Sequence, residues 1–135
     1  MPIQRQLLTI ATLAECLAGL ALMFTPDAAV TLLLGAEPGA VGLMVGRIAG
    51  VALLALGIAC WGARADSGGP AQAGTLRAIT VYNGGAGLLL IAFVATGKAY
   101  GVAVWIAGVL HVALAAGFAA SLWRLMPAST ARSEL

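Results

Sequence analysis

The chain has 135 residues, of which 61% are hydrophobic and only 9% are charged. Because a soluble domain carries roughly a quarter charged residues, this composition excludes a water-soluble globular protein. The formal net charge is only +2 and the basic residues are scattered, which excludes nucleic acid as a partner. Cys16 and Cys60 lie in apolar runs without CxxC spacing, so we interpret them as buried small side chains and predict no metal site.

Four apolar segments have about the ~20 residues that a helix needs to cross a bilayer. A backbone in lipid must satisfy its own hydrogen bonds, and the period-two alternation of barrel strands is missing, so each segment is predicted to be a helix. The first is too long for a secretory signal core and Glu15 interrupts it, which favours a retained anchor over a cleaved signal. We predict one all-α integral membrane domain, 1–135, a four-helix bundle with spans at about 7–24, 40–62, 78–97 and 101–123.

The stretch "TPDAAVTLLLGAEPG" predicts a short additional helix of about two turns. Thr25 is suited to cap it, Pro26 to occupy its first position and Gly35 to end it. The helix is too short to span the bilayer, so we expect it to lie in the membrane interface. Three side chains are expected to face the acyl chains: Val30, Leu33 and Leu34.

The connections between the spans differ in character. "ARADSGGPAQAG" has the composition of a flexible loop, whereas "TGKAY" is so short that the last two spans should form an antiparallel pair. Pro127 separates the last span from a polar tail. Both termini are predicted to be cytoplasmic, because Lys98 stands alone on one side and five arginines lie on the other: Arg5, Arg64, Arg77, Arg124 and Arg132.

The aromatic residues near the span ends agree with this orientation. Trp61 and Trp123 fall near the predicted inner interface and Tyr100 near the outer one, where amphipathic rings prefer to lie.

Each span carries one strongly polar residue away from its ends: Glu15, Arg47, Asn83 and His111. A charge at the centre of a spanning helix costs about 2.5–3.5 kcal/mol, so such residues usually face the bundle interior, form pairs or serve a function. From a rise of ~1.5 Å per residue, Glu15 and His111 lie ~12–15 Å deep and Arg47 ~10 Å deep. We therefore expect Glu15 to neutralise Arg47 with His111 joining them, and Asn83, ~8 Å from the inner boundary, to extend the network or bridge helices.

Small residues accompany the polar ones. Gly42, Gly46 and Gly50 form a doubled GxxxG pattern beside Arg47, which predicts a face for close helix packing within the chain or between chains. "YNGGAG" likewise places three glycines after Asn83.

The succession of "LALMFTPDAAVTLLLGAEPG", "GRIAGVALLALGIACWGAR", "YNGGAGLLLIA" and "WIAGVLHVALA" resembles small four-helix inner-membrane proteins of bacteria of the DoxX-like type. The residues that carry the resemblance are Pro26, Gly35, Arg47 with Gly50, Asn83 and His111. It implies a bacterial plasma membrane, four helices and a polar interior, and the broader group resembles subunits of quinone-linked sulfur oxidation.

Two functions remain open at this point. The first is a non-catalytic membrane protein: an accessory or assembly subunit that docks a second copy or a partner, or a binder of a lipid or quinone. The alternative is a small transporter or membrane enzyme in which His111 relays protons, Glu15 supplies a carboxylate and Arg47 holds an anion. The first is favoured, because no nucleophile, metal set or phosphate loop stands out. The identity of any cofactor stays open.

The predicted topology is testable with reporter fusions. Fusions at Ser67 and at the C-terminus should report a cytoplasmic location, and a fusion at Glu37 should report the outside, because the arginines favour the cytoplasm. A cytoplasmic signal at Glu37 would contradict the orientation.

Overall fold

A computed structural model describes residues 3–97 and 102–125, and all the regular structure within these ranges is helical. Lys98, Tyr100, Pro127 and Arg132, on which part of the predicted orientation and the polar tail depend, lie outside the described residues. The five helices are α1 (Ile3–Phe24), α2 (Pro26–Leu34), α3 (Ala40–Ala63), α4 (Pro70–Ala95) and α5 (Val102–Leu125).

Helices α1, α3, α4 and α5 are long and apolar enough to cross a membrane. Only 17–28% of the most apolar window of each helix is buried within the protein. Large apolar side chains instead point outward, with exposed fractions of 74% at Phe24 and 79% at Trp123. Because lipid is the environment that accommodates such a surface, the chain is a multi-pass integral membrane protein.

The spanning helices are arranged as two antiparallel pairs. α1 packs along its length against α3, and α4 packs against α5. The pairs meet around an apolar core in the half of the bundle where α1 begins and α3 ends. Its seven buried members come from all four helices: Leu8, Ala11, Cys60, Ala63, Leu76, Ile79 and Phe118.

The short helix α2 confirms the signals read from its sequence, with two differences. Pro26 begins it, and Gly35 ends it in the left-handed conformation (φ 74°) with its N–H donating to the carbonyl of Thr31. Thr25, however, donates its hydroxyl to the carbonyl of Ala21 (3.0 Å) instead of capping α2. Of the three side chains expected to face the acyl chains, Val30 and Leu34 line a groove against the rest of the protein, and Leu33 is half-buried. Leu32, 76% exposed, is the leucine that points outward.

Helix α4 begins at Pro70, well before the predicted start of the third span at about residue 78. Asp66 provides the reason, since its Oδ2 accepts hydrogen bonds from the backbone N–H groups of Ala71 (2.7 Å) and Gln72 (3.3 Å). The Gln72 Oε1 in turn accepts a hydrogen bond from the N–H of Gly68 (3.0 Å). The second half of the predicted flexible loop is therefore helical, and the remaining turn is tied to α4.

Close contact between α1 and α3 depends on glycine. A Cβ atom added to Gly50 would lie 2.7 Å from the Gly19 carbonyl oxygen and 2.8 Å from the Met23 nitrogen, both of them backbone atoms that cannot move aside. At Gly46 the nearest atom would be the Pro26 Cβ at 3.4 Å, and Gly42 would meet only Pro38. Of the predicted glycine stripe, Gly50 therefore makes the closest helix contact and Gly42 lies at its edge.

This difference predicts opposite effects on stability when a methyl group is added at Gly50 and at Gly46. Gly50→Ala should destabilise the protein by about 1–3 kcal/mol, the usual range for an overpacked core, because backbone must shift. Gly46→Ala is the matched control and should be neutral or slightly stabilising, since its methyl group has room. Unfolding in mixed detergent micelles measures both, and equal stability of the two variants would contradict the assigned contact.

Candidate functional site

The structure brings together two of the four predicted polar residues by direct contact. His111 on α5 and Asn83 on α4 form a hydrogen bond of 2.8 Å between Nδ1 and Oδ1. Asn83 is 1% exposed, and its Nδ2 donates to the carbonyl of Ile79 (2.9 Å). An amide oxygen can only accept, so the His111 Nδ1 carries the hydrogen. In a neutral ring this leaves Nε2 as an acceptor.

Tyr82 extends this pair toward α1. Its ring meets the His111 ring edge to face, with centroids 5.8 Å apart and planes at 87°. Glu15 on α1 is 5% exposed, so its carboxyl group also lies inside the bundle. We call Glu15, Tyr82, Asn83 and His111 the polar cluster, because they bring polar groups from three of the four spanning helices into the bundle.

Cys60 is fully buried within the apolar core, which confirms its interpretation as a small buried side chain. Sequence reasoning does not anticipate the contact of the Tyr82 ring with His111. The sequence did contain a signal for Tyr82, since it directly precedes Asn83. Which residue its ring contacts, however, depends on the rotation of α4 about its axis, which the sequence does not specify.

The structure does not bring Arg47 to Glu15. Arg47 is exposed on α3, and its neighbour Gly46 packs next to Pro26, at the start of α2. Glu15 lies ~15 Å from the level of Pro26 along the α1 axis. The expected contact fails first because the α1–α3 register puts Arg47 near the level of Pro26, several turns from Glu15. In addition, Arg47 lies ~100° round α3 from Gly46, away from the buried stripe. Its long side chain is instead placed to extend toward the nearer membrane boundary.

Three cavities on the surface of the described residues lie outside the polar cluster. The first, which we call the α2 groove, has a volume of about 420 Å³ and lies where α1, α2 and α3 meet, with Phe93 of α4 on its wall. Its lining is almost entirely apolar, with Glu37 as its one charged residue. Representative members of the lining are Leu22, Val30, Leu34, Gly46 and Phe93.

The second cavity lies at the other end of the bundle, where α1 begins and α3 ends. We call it the arginine cleft. It has a volume of about 430 Å³ and is lined by Arg5, Trp61, Gly62, Arg64, Ala65 and Ser67. A shallow apolar depression on α5, around Trp105 and Leu110, is a third surface feature. None of these three cavities is lined by Glu15, Asn83 or His111.

No group of three or more metal-binding side chains occurs within residues 3–97 and 102–125. Comparisons with protein-family models, curated proteins and solved structures give no match. The function must therefore be argued from the geometry of the cluster and the cavities.

A double-mutant cycle tests the connection between Asn83 and His111. Replacing each with alanine, singly and together, should give a coupling energy of about 0.6 kcal/mol and at most about 1.7 kcal/mol, the average and the maximum for hydrogen bonds between membrane helices. The matched cycle for Glu15→Gln and Arg47→Gln should give additive energies, because the residues lie far apart. Unfolding in bicelles measures both cycles. Strong coupling between Glu15 and Arg47 would contradict the α1–α3 register.

Proposed function

We propose that this chain is a non-catalytic protein of the bacterial inner membrane that holds the apolar chain of a lipid or quinone in the α2 groove. The observation that carries the proposal is the groove itself. Its volume of about 420 Å³ lies within the range of about 300–1,000 Å³ typical of ligand sites. The bacterial inner membrane is inferred from the DoxX-like resemblance. The cytoplasmic location of both termini is inferred from the distribution of the arginines.

The lining favours a long apolar ligand. Leu22 and Val45 come from the spanning helices, whereas Val30 and Leu34 come from α2. Small residues, Gly46 and Ala49, leave room between these side chains. In a bilayer the abundant molecules with this chemistry are lipids and isoprenoid quinones, whose chains reach the groove laterally without leaving the hydrocarbon.

Glu37 adds a polar boundary to the apolar site. Glu37 is exposed in the connection between α2 and α3, where a carboxylate can accept a hydrogen bond from a ligand hydroxyl. The groove therefore suits an amphipathic molecule whose chain lies inside and whose polar end lies beside this connection.

The polar cluster is assigned a structural part in this proposal. Asn83 and His111 form a hydrogen bond with one another, and neither lines any of the three cavities described above. A hydrogen-bonded pair between α4 and α5 opposes rotation of either helix, which maintains the shape of the bundle. The alternative, a transporter or membrane enzyme, requires a ligand path to His111.

Filling the groove tests the proposal. Leu34→Trp should reduce retention of a phospholipid or a quinone in native mass spectrometry, because the larger ring occupies the groove. Leu32→Trp is the matched control on the same helix and should retain the ligand, since Leu32 points outward. Each ligand is offered separately to delipidated protein. Equal retention by both variants would overturn the proposal, and loss of binding in His111→Gln instead would favour the transporter or enzyme.

A further inference from the structure

The arginine cleft combines two cations with an aromatic ring at the end of the bundle opposite the α2 groove. Arg5 comes from the first turns of α1, and Arg64 directly follows α3. Ser67 adds a hydroxyl group from the next turn. None of the described residues that line the cleft is acidic, and the Asp66 carboxylate of the same turn is directed to N–H groups in the first turn of α4. The cleft therefore presents two cations and several hydrogen-bond donors.

The Arg64 side chain is held in place by three contacts. Its guanidinium carbon lies 3.2 Å from the centroid of the Trp61 ring. Its Nε donates to the Trp61 carbonyl (3.1 Å), and its Nη1 donates to the Thr9 hydroxyl (3.3 Å). These contacts use one face of the guanidinium and two of its five N–H donors, so donors remain for a ligand.

Thr9 connects the two arginines through its hydroxyl group. While it accepts from Arg64, it donates its own hydrogen to the carbonyl of Arg5 (2.8 Å). The position of Arg64 is thereby tied to the turn of α1 that carries Arg5. A side chain fixed before binding loses little conformational entropy when a ligand arrives, which distinguishes Arg64 from a freely moving surface arginine.

We propose that the arginine cleft binds a phosphate group, with Arg64 as the fixed donor, Arg5 as the mobile second cation and Ser67 as a neutral donor. Guanidinium donors match the geometry of phosphate oxygens, and a hydroxyl group completes such a site. The phosphate belongs either to the headgroup of an anionic lipid, since Trp61 marks the interface level, or to a soluble phosphate compound. The site is independent of the α2 groove and of the function proposed for it.

The first arm of the test compares lipids. Delipidated protein in neutral detergent is offered phosphatidylglycerol or phosphatidylcholine, and native mass spectrometry counts the bound molecules. The wild type should prefer phosphatidylglycerol, and Arg5→Gln and Arg64→Gln should each weaken that binding by about tenfold, equivalent to one charged hydrogen bond. Arg124→Gln is the matched control, because it removes the same charge from the same end of the bundle outside the cleft.

The second arm offers inorganic phosphate without lipid. Stabilisation of the wild type against heat, reduced in both cleft variants but not in Arg124→Gln, identifies a soluble phosphate compound as the source. Because Arg64→Gln also removes the contact with Thr9, Arg5→Gln serves as the variant that leaves the fold intact, since Arg5 is exposed. The proposal is overturned if the wild type neither prefers phosphatidylglycerol nor is stabilised by inorganic phosphate. It is also overturned if Arg124→Gln loses as much binding as Arg5→Gln.

Discussion

The contact between the α1 and α3 backbones at Gly19 and Gly50 determines the placement of the functional features of this protein. Two helices that touch through backbone atoms have little freedom to slide or rotate, because any Cβ atom at the contact would collide. The same register places Thr9 beside Arg64 at one end and Pro26 beside Gly46 at the other. The arginine cleft and the α2 groove are therefore two consequences of a single helix alignment.

The second pair repeats this solution. A Cβ atom on Gly87 of α4 would lie 3.0 Å from the carbonyl oxygen of Gly108 on α5. In lipid, helices do not associate by excluding water from apolar surfaces, so close van der Waals contact and hydrogen bonds between helices must hold each pair. Asn83 and His111 contribute a hydrogen bond between helices to the same α4–α5 pair.

Much of the architecture could be predicted from the sequence, since bilayer thickness constrains the length of each span and Pro26 and Gly35 mark the ends of α2. The pairing of Asn83 with His111 could be anticipated only in part. The sequence places both polar residues inside the spans but does not show that they contact each other. The location of Arg47 could not be anticipated, because the boundaries of the spans give neither the register of α1 against α3 nor the rotation of α3 about its axis. The early start of α4 depends on hydrogen bonds from its first turn to the Asp66 carboxylate, within a segment whose glycines and proline indicate a loop.

The division into two pairs has a consequence for the synthesis of the protein. Chains emerge from the N-terminus first, so α1 and α3 can dock before α4 and α5 have been made. At that stage Tyr82 is absent, and the side of α1 that carries Glu15 lacks its neighbours from the second pair. Because a polar side chain facing hydrocarbon is unfavourable, the unfinished first hairpin has an attractive surface for the second hairpin. Burial of the Glu15 carboxyl group thus favours docking of the second helix pair onto the first.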